Sequence, residues 1–164
     1  MSNILAFPMQ DQFQNNWCRS AVSVSVDDFF GSPTTWTQCQ MANRELAQNS
    51  CCLNGISFAC DQPWYLDRAL VRVGRLSTVY GGRPNNARLF SEIDQRRPVA
   101  LRIQWNGTSN GHFVAVTGYD DSNPGNPMLE IDDPFYGHST LEAASFPASY
   151  QSLGGAWTHT YETR

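Results

Sequence analysis

A thiol, an imidazole and a carboxylate in this sequence could together attack an acyl group. Cys18 lies in Asn16-Trp17-Cys18-Arg19-Ser20-Ala21, apart from Cys39, Cys51, Cys52 and Cys60. Thiols attack as thiolates, and free cysteine titrates at about 8.5, so a nucleophilic cysteine needs a base or a helix N-terminus beside it. Three histidines compete for the role of base. His112 follows Gly111 and opens a strongly apolar run, which puts its ring at a strand end. His159 alternates with Trp157 and Tyr161 and reads as a sheet-face residue. His138 falls in a predicted Tyr136-Gly137-His138 turn, facing solvent. Taken singly, Cys18 reads as a packing thiol and His112 as a surface histidine; taken together they form a nucleophile and its base.

Strand pairing supplies the carboxylate. Phe113 to Tyr119 and Met128 to Ile131 are apolar runs joined by a turn-rich loop, which is a hairpin signature. A hairpin centred near Ser122-Asn123 pairs Val116 with Leu129, Val114 with Ile131 and His112 with Asp133. Paired residues share a face, so Asp133 is predicted beside the imidazole, where it would fix the tautomer and support the charged ring. A one-residue slip would bring Asp132 instead, which points the other way. The oxyanion formed in acyl transfer also needs N–H donors. The segment before Cys18 offers Gln10, Gln12, Gln14, Asn15 and Asn16, and one would suffice.

These residues need an α+β scaffold. Helical spacing is clearest over Thr37 to Gln48. A second helix is predicted from Pro63, with Leu66, Ala69, Leu70 and Val73 on one face and Gly74 past its end. A third runs from Asn85 to Arg96 and stops before Pro98. The period then changes to two at Val99 to Trp105, with further strands at Phe113–Tyr119, Met128–Asp132 and Ala156–Tyr161. Helices come first and a mostly antiparallel sheet second. Val22, Val24 and Val26 alternate with serines like a strand, yet Val22, Val26 and Phe29 or Phe30 also form a helical stripe, and periodicity alone leaves this segment open.

The 164 residues fit one domain, residues 1–164, with a helical half at about 8–75 and a sheet half at about 76–164. Charged residues are 16% and the net charge is -4, which leaves no basic footprint for nucleic acid. Apolar runs are too short to insert in a membrane. Met1 to Gln10 lacks the pattern of a Sec-type signal peptide. Five cysteines suit two disulfides plus a free Cys18, with three connectivities open; reduced packing thiols or a metal site are the other readings, and the Cys51-Cys52 pair lacks zinc-knuckle spacing. No cofactor or metal is expected.

Asn16-Trp17-Cys18, Gln38-Cys39 with Cys51-Cys52, Glu92 to Val99, Gly111-His112-Phe113-Val114 with Gly118-Tyr119-Asp120, and Asp133 to Gly137 occur in an order that resembles the bacterial papain-like cysteine peptidases. That group contains the C39-like domains and plant-pathogen effector proteases. The resemblance runs from about Phe7 to Thr163. It implies a papain-like fold in which a central helix carries the cysteine, and so favours helix over Ser20 to Phe30. It implies a Cys18-His112-Asp133 triad, with Gln12, six residues before the cysteine, completing the oxyanion hole. It further implies a monomeric thiol endopeptidase acting on protein or peptide, secreted or delivered in mature form, with cytoplasmic storage before export still open. Many relatives carry an aromatic residue after the cysteine, in the domain cleft. Arg19 stands there instead and motivates a second reading, a non-catalytic binding or inhibitory module. Deamidation or acyl transfer by the same residues would leave the same sequence signature.

Overall fold

The computed structural model describes residues 1–31 and 36–164. Its elements are β1 (Ser2–Ile4), α1 (Cys18–Phe29), α2 (Gln38–Glu45), α3 (Leu66–Arg72), β2 (Leu76–Gly81), α4 (Asn86–Asp94), β3 (Val99–Trp105), β4 (Gly111–Asp120), β5 (Met128–Asp133), β6 (Gly137–Glu142) and β7 (Gly155–Thr163). The expected α+β order holds. The sheet is antiparallel throughout in the order β2-β7-β3-β4-β5-β6, and β1 pairs with β4 off this path.

The ambiguous valine segment is helix α1. Val22, Val24 and Val26 are fully buried, and so are Ser20, Ser23 and Ser25. A helix covered on all sides has no polar face, so its hydrophobic period vanishes from the sequence. Two of the serines turn back on the helix: Ser25 Oγ donates to Ala21 O at 2.7 Å and Ser23 Oγ to Ser20 O at 3.2 Å, whereas Ser20 Oγ has no partner among the described residues. Valine is a weak helix former, but tertiary burial outweighs that preference.

Local signals explain the other helix boundaries. A capping box between Thr37 and Gln40 starts α2, which ends earlier than expected because the chain turns left-handed at Ala47. Pro63 lies ahead of α3 in an extended lead-in, not in its first turn. Asn85 caps α4 by accepting from Arg88 N–H at 2.8 Å. Three strands have no counterpart in the sequence reading: β1, β2 and β6. The first is three residues long, and β2 and β6 are largely exposed, so alternation of hydrophobicity is weak there.

The sheet separates two apolar cores. Leu101, Ile103, Val114, Val116 and Ile131 pack with α4 on one face. Ala100, Phe113 and Tyr161 meet Val22, Val26, Leu66 and Leu70 of the helices on the other, and Cys18 belongs to this second core. A third cluster, Trp17, Ala42, Cys51 and Cys60, lies under the helices. The disulfides join Cys39 to Cys52 and Cys51 to Cys60, which leaves Cys18 as the free thiol. They brace the stretch from Leu46 to Tyr65, which has no helix or strand. Among the described residues no cluster of three metal-ligating side chains is present, and no helix is long and apolar enough to cross a membrane.

Replacing Cys51 and Cys60 together by alanine is expected to lower folding stability by about 2–3 kcal/mol. Thermal denaturation of the variant, and of the wild type with reductant, measures it; equal melting temperatures would remove the bracing role.

Candidate active site

Cys18 is the first residue of α1, and the residue before it, Trp17, makes no side-chain cap. The first-turn N–H groups therefore lack a side-chain acceptor, and an uncapped helix N-terminus favours negative charge. The residues on both sides of Cys18 are fixed from below by the disulfide-braced loop. Asn16 N–H donates to Asp61 Oδ1 at 2.8 Å and Trp17 Nε1 to Cys60 O at 2.8 Å. Arg19 Nη1 donates to Gln62 O at 2.7 Å and Asn16 O at 2.9 Å. The Arg19 side chain is wholly buried and does not line the cleft. Burial lowers its pKa to about 10, against the opposing pull of Cys18, Glu45 and Asp61.

His112 stands near the start of β4, and its Nε2 lies 2.8 Å from Asp133 Oδ1. The expected register is corrected here. Val116 pairs with Ile131 rather than Leu129, and an irregularity between Val116 and Gly118 changes the offset again toward the loop. Extended by two residues, this register sets Asp133 opposite Val114, so His112 is its diagonal neighbour. A shift of two residues preserves the face on which a side chain sits, and diagonal pairs remain within reach. Asp132 takes the other face: its carboxylate accepts from Thr117 Oγ1 at 2.7 Å and lies 3.0 Å from His138 Nδ1. His138 belongs to strand β6, not to a turn, and also contacts Glu130 at 2.9 Å.

Asp133 is almost fully buried and has four donors. Besides His112, the N–H groups of Phe135 and Tyr136 donate to Oδ1 at 2.7 and 3.0 Å, and Tyr150 Oη donates to Oδ2 at 2.8 Å. Gly137, with φ 81°, then reverses the chain into β6. Trp105 stacks on the His112 ring, with centroids 5.8 Å apart, and Tyr150 stacks on Trp105 at 6.1 Å. Sequence reasoning missed Tyr150 and Trp105. Tyr150 lies in the irregular stretch between β6 and β7, where no period marks a buried hydroxyl.

Gln12, Cys18 and His112 line one cleft of about 900 Å³ between the helices and the sheet. Gln12 Nε2 donates to Gln14 O and Asn15 O, both at 2.8 Å, and its Oε1 is buried without a partner. Gln12 N–H donates to Pro134 O at 2.8 Å, which ties this segment to the residue after Asp133.

Burial lowers the His112 pKa, but hydrogen bonding to Asp133 and interaction with Cys18 more than reverse this and raise it to about 9. Burial pushes Asp133 up, and His112 with the two turn N–H groups brings it below the ordinary value of 3.8. The two linkages have opposite signs. The His112 contribution to stability is complete below its ordinary pKa of 6.5 and is lost as pH rises through about 9. The Asp133 contribution is complete above 3.8 and is lost as pH falls through its lower folded value. Denaturant titrations should therefore show a stability that begins to fall above about pH 6.5 and levels off above about pH 9. In Cys18→Ser the decline should start at the same pH but end at a lower one, and an unmoved upper end would remove Cys18 as a partner of the ring. Tyr150→Phe removes only the hydroxyl and should cost about 1–3 kcal/mol, because a buried charged group loses a donor.

Comparisons with known proteins give the family and the fold. Residues 4–158 match the family model described as Peptidase_C39 like family. No curated protein matches the chain. The fold is similar to that of a C39-like peptidase from Bacillus anthracis, with 14% identity, a TM-score of 0.65 and coverage of 100% of this chain and 98% of the other. It is also similar to the peptidase domain of Streptococcus ComA, a bi-functional ABC transporter of a quorum-sensing pathway, with 18% identity, a TM-score of 0.59 and coverage of 94% and 96%. A third similar structure is a double-glycine-motif protease from an AMS/PCAT transporter in complex with a leader peptide, with 16% identity, a TM-score of 0.55 and coverage of 98% and 94%. The family match spans most of the chain, so this protein belongs to the Peptidase_C39 like family and is a papain-like cysteine peptidase.

Proposed function

We propose that the chain hydrolyses peptide bonds through Cys18, His112 and Asp133, with Gln12 assisting at the oxyanion. The observation that carries this is that the imidazole lines one cleft with the free thiol Cys18, which acts on its titration, while its Nε2 is held 2.8 Å from a buried carboxylate. With Nε2 so engaged, Nδ1 is the nitrogen that receives the thiol proton. Cys18 sulfur attacks the scissile carbonyl, and the electron pair moves to oxygen. The Cys18 N–H at the uncapped start of α1 and the Gln12 amide hold the oxyanion. Gln12 reaches it by exchanging one of its two carbonyl acceptors for the new anion. The C–N bond then breaks, His112 gives its proton to the leaving amine, and water adds to the thioester to release the acid and restore the thiol. The leader peptide bound by the transporter protease supports an extended peptide as occupant of the cleft.

The chain would act as one unit, residues 1–164, with the helical half at about 8–75 and the sheet half at about 76–164, and as a monomer. Two disulfides suit an oxidising final location and so a secreted or delivered protein. Arg19, which motivates a non-catalytic module, is turned into the helical half and leaves the cleft open.

Iodoacetamide is expected to label Cys18 near neutral pH much faster than a free thiol, and Cys18→Ala should abolish labelling and peptide cleavage. Asp133→Asn should lower kcat by about 10²- to 10⁴-fold, and Gln12→Ala by about 10²- to 10³-fold. Product masses separate the chemistries: two fragments for hydrolysis, a one-dalton gain for deamidation, a crosslink for acyl transfer. Labelling at the rate of a free thiol would sink the proposal.

A further inference from the structure

Arg102 lies on β3, cross-strand from Phe113 on β4 and from His159 on β7. It lines the same cleft as Cys18 and His112. Its side chain is held by neutral acceptors. Nη1 donates to Thr158 Oγ1 at 3.1 Å and Nη2 to Gln104 Oε1 at 2.8 Å. Both acceptors are themselves fixed. The Thr158 hydroxyl donates to Arg102 O at 3.3 Å, and Gln104 Nε2 donates to Thr108 O at 2.7 Å and Asn110 O at 3.1 Å, which aims Gln104 Oε1 at the guanidinium.

The guanidinium also lies flat against Gly111, the residue before His112. A Cβ at position 111 would stand 2.5 Å from Arg102 Cζ, Nε and Nη2. Glycine is therefore required here for the cation to sit within one residue of the reacting centre. Arg72, Arg75, Arg88 and Arg97 each pair with a carboxylate. Arg102 has no such ion pair among the described residues. A guanidinium carries five N–H donors; Thr158 and Gln104 use two, which leaves three on a residue that lines the cleft. His159 lines the cleft beside it.

One opposing charge is present. Asp67 of α3 lines the facing wall, beyond ion-pair distance of Arg102, and both act on Tyr161 between them. Asp67 lies on the helical wall, whereas Arg102 is locked on the backbone next to His112 and offers donors in a planar fork. That fork matches a carboxylate bidentately.

We propose that Arg102 reads a carboxylate of the substrate, so that the enzyme prefers peptides with aspartate or glutamate within two residues of the scissile bond. The inference rests on the peptidase reading above and adds its substrate class. It is tested with pairs of fluorogenic peptides that differ only as glutamate or glutamine at each of the two positions on either side of the cut. At one position the glutamate peptide should have a kcat/KM about tenfold higher at low salt, the size of one charge-assisted hydrogen-bonded pair. Added salt should reduce the ratio. Arg102→Gln should bring it to about one, Arg102→Lys should leave an intermediate value, and Asp67→Asn should increase it. If the wild type cuts both members of every pair equally, or favours lysine and arginine in matched peptides, the inference falls and the peptidase reading stands. If it cuts neither member of any pair, the peptidase reading falls and takes the inference with it. The wild-type ratio and its salt dependence decide the matter even where Arg102→Gln does not fold.

Discussion

A charged carboxylate taken out of water is costly unless donors surround it, and Asp133 is 1% exposed. Its four donors come from distant parts of the chain. His112 comes from β4, the N–H groups of Phe135 and Tyr136 from the turn after β5, and the Tyr150 hydroxyl from the stretch before β7. Each is needed for a fixed reason. The turn must close tightly enough to bring two N–H groups onto one oxygen, and Gly137 then supplies the left-handed φ that starts β6. The stretch between β6 and β7 must reach back to the β5 end. Trp105 fills the space between Tyr150 and His112, so the ring that touches the carboxylate is also held flat. Much of the irregular structure of the sheet half meets the demand of this one buried charge.

The helical half solves a different problem. Its free thiol, Cys18, is on a helix buried on every side, which fixes the helix axis but not the chain entering it. That chain is Gln12 to Trp17, without regular structure. The anchor is the disulfide-braced loop, which offers Cys60 O, Asp61 and Gln62 O to Trp17, Asn16 and Arg19. Long loops without secondary structure of their own rarely hold a fixed shape inside a domain. The crosslinks from Cys39 to Cys52 and Cys51 to Cys60 restrict the shapes this one can take. The bond from Gln12 N–H to Pro134 O joins the two arrangements directly. The segment leading to the thiol therefore leans on the residue that follows the carboxylate.

How far the site was legible follows the same physics. Strand parity was legible: any even error in the hairpin register leaves Asp133 on the His112 face, so the pairing was wrong in detail and right in consequence. The irregularity between Val116 and Gly118 was not legible, because Thr117 is as acceptable in a regular strand as in a bulge. The nature of α1 was not readable from period, since a fully buried helix has none, and it took the family resemblance to favour helix. Cysteine count gave two bridges and a free thiol but not their connectivity. The donors to Asp133 apart from His112 were invisible, for two are backbone groups and the third, Tyr150, lies in a segment without pattern.

The two arginines near the site show why sequence neighbourhood misleads. Arg19 adjoins Cys18 in sequence, and the family resemblance alone would set it in the cleft. Successive residues on a helix are about 100° apart, so a helix that turns Cys18 to the cleft turns Arg19 into the helical half. There its charge meets carbonyl oxygens and buried space, and its Nε and Nη2 stay without partners. Arg102 is far from Cys18 in sequence and carries no motif. Pairing of β3 with β4 sets it opposite Phe113, and the missing side chain at Gly111 lets it settle beside His112. In a strand a neighbour across the sheet is closer than a neighbour two residues along the chain, at about 5 Å against 7 Å. The positive charge on the cleft wall is therefore fixed by sheet register and by a glycine, and not by the residue next to Cys18.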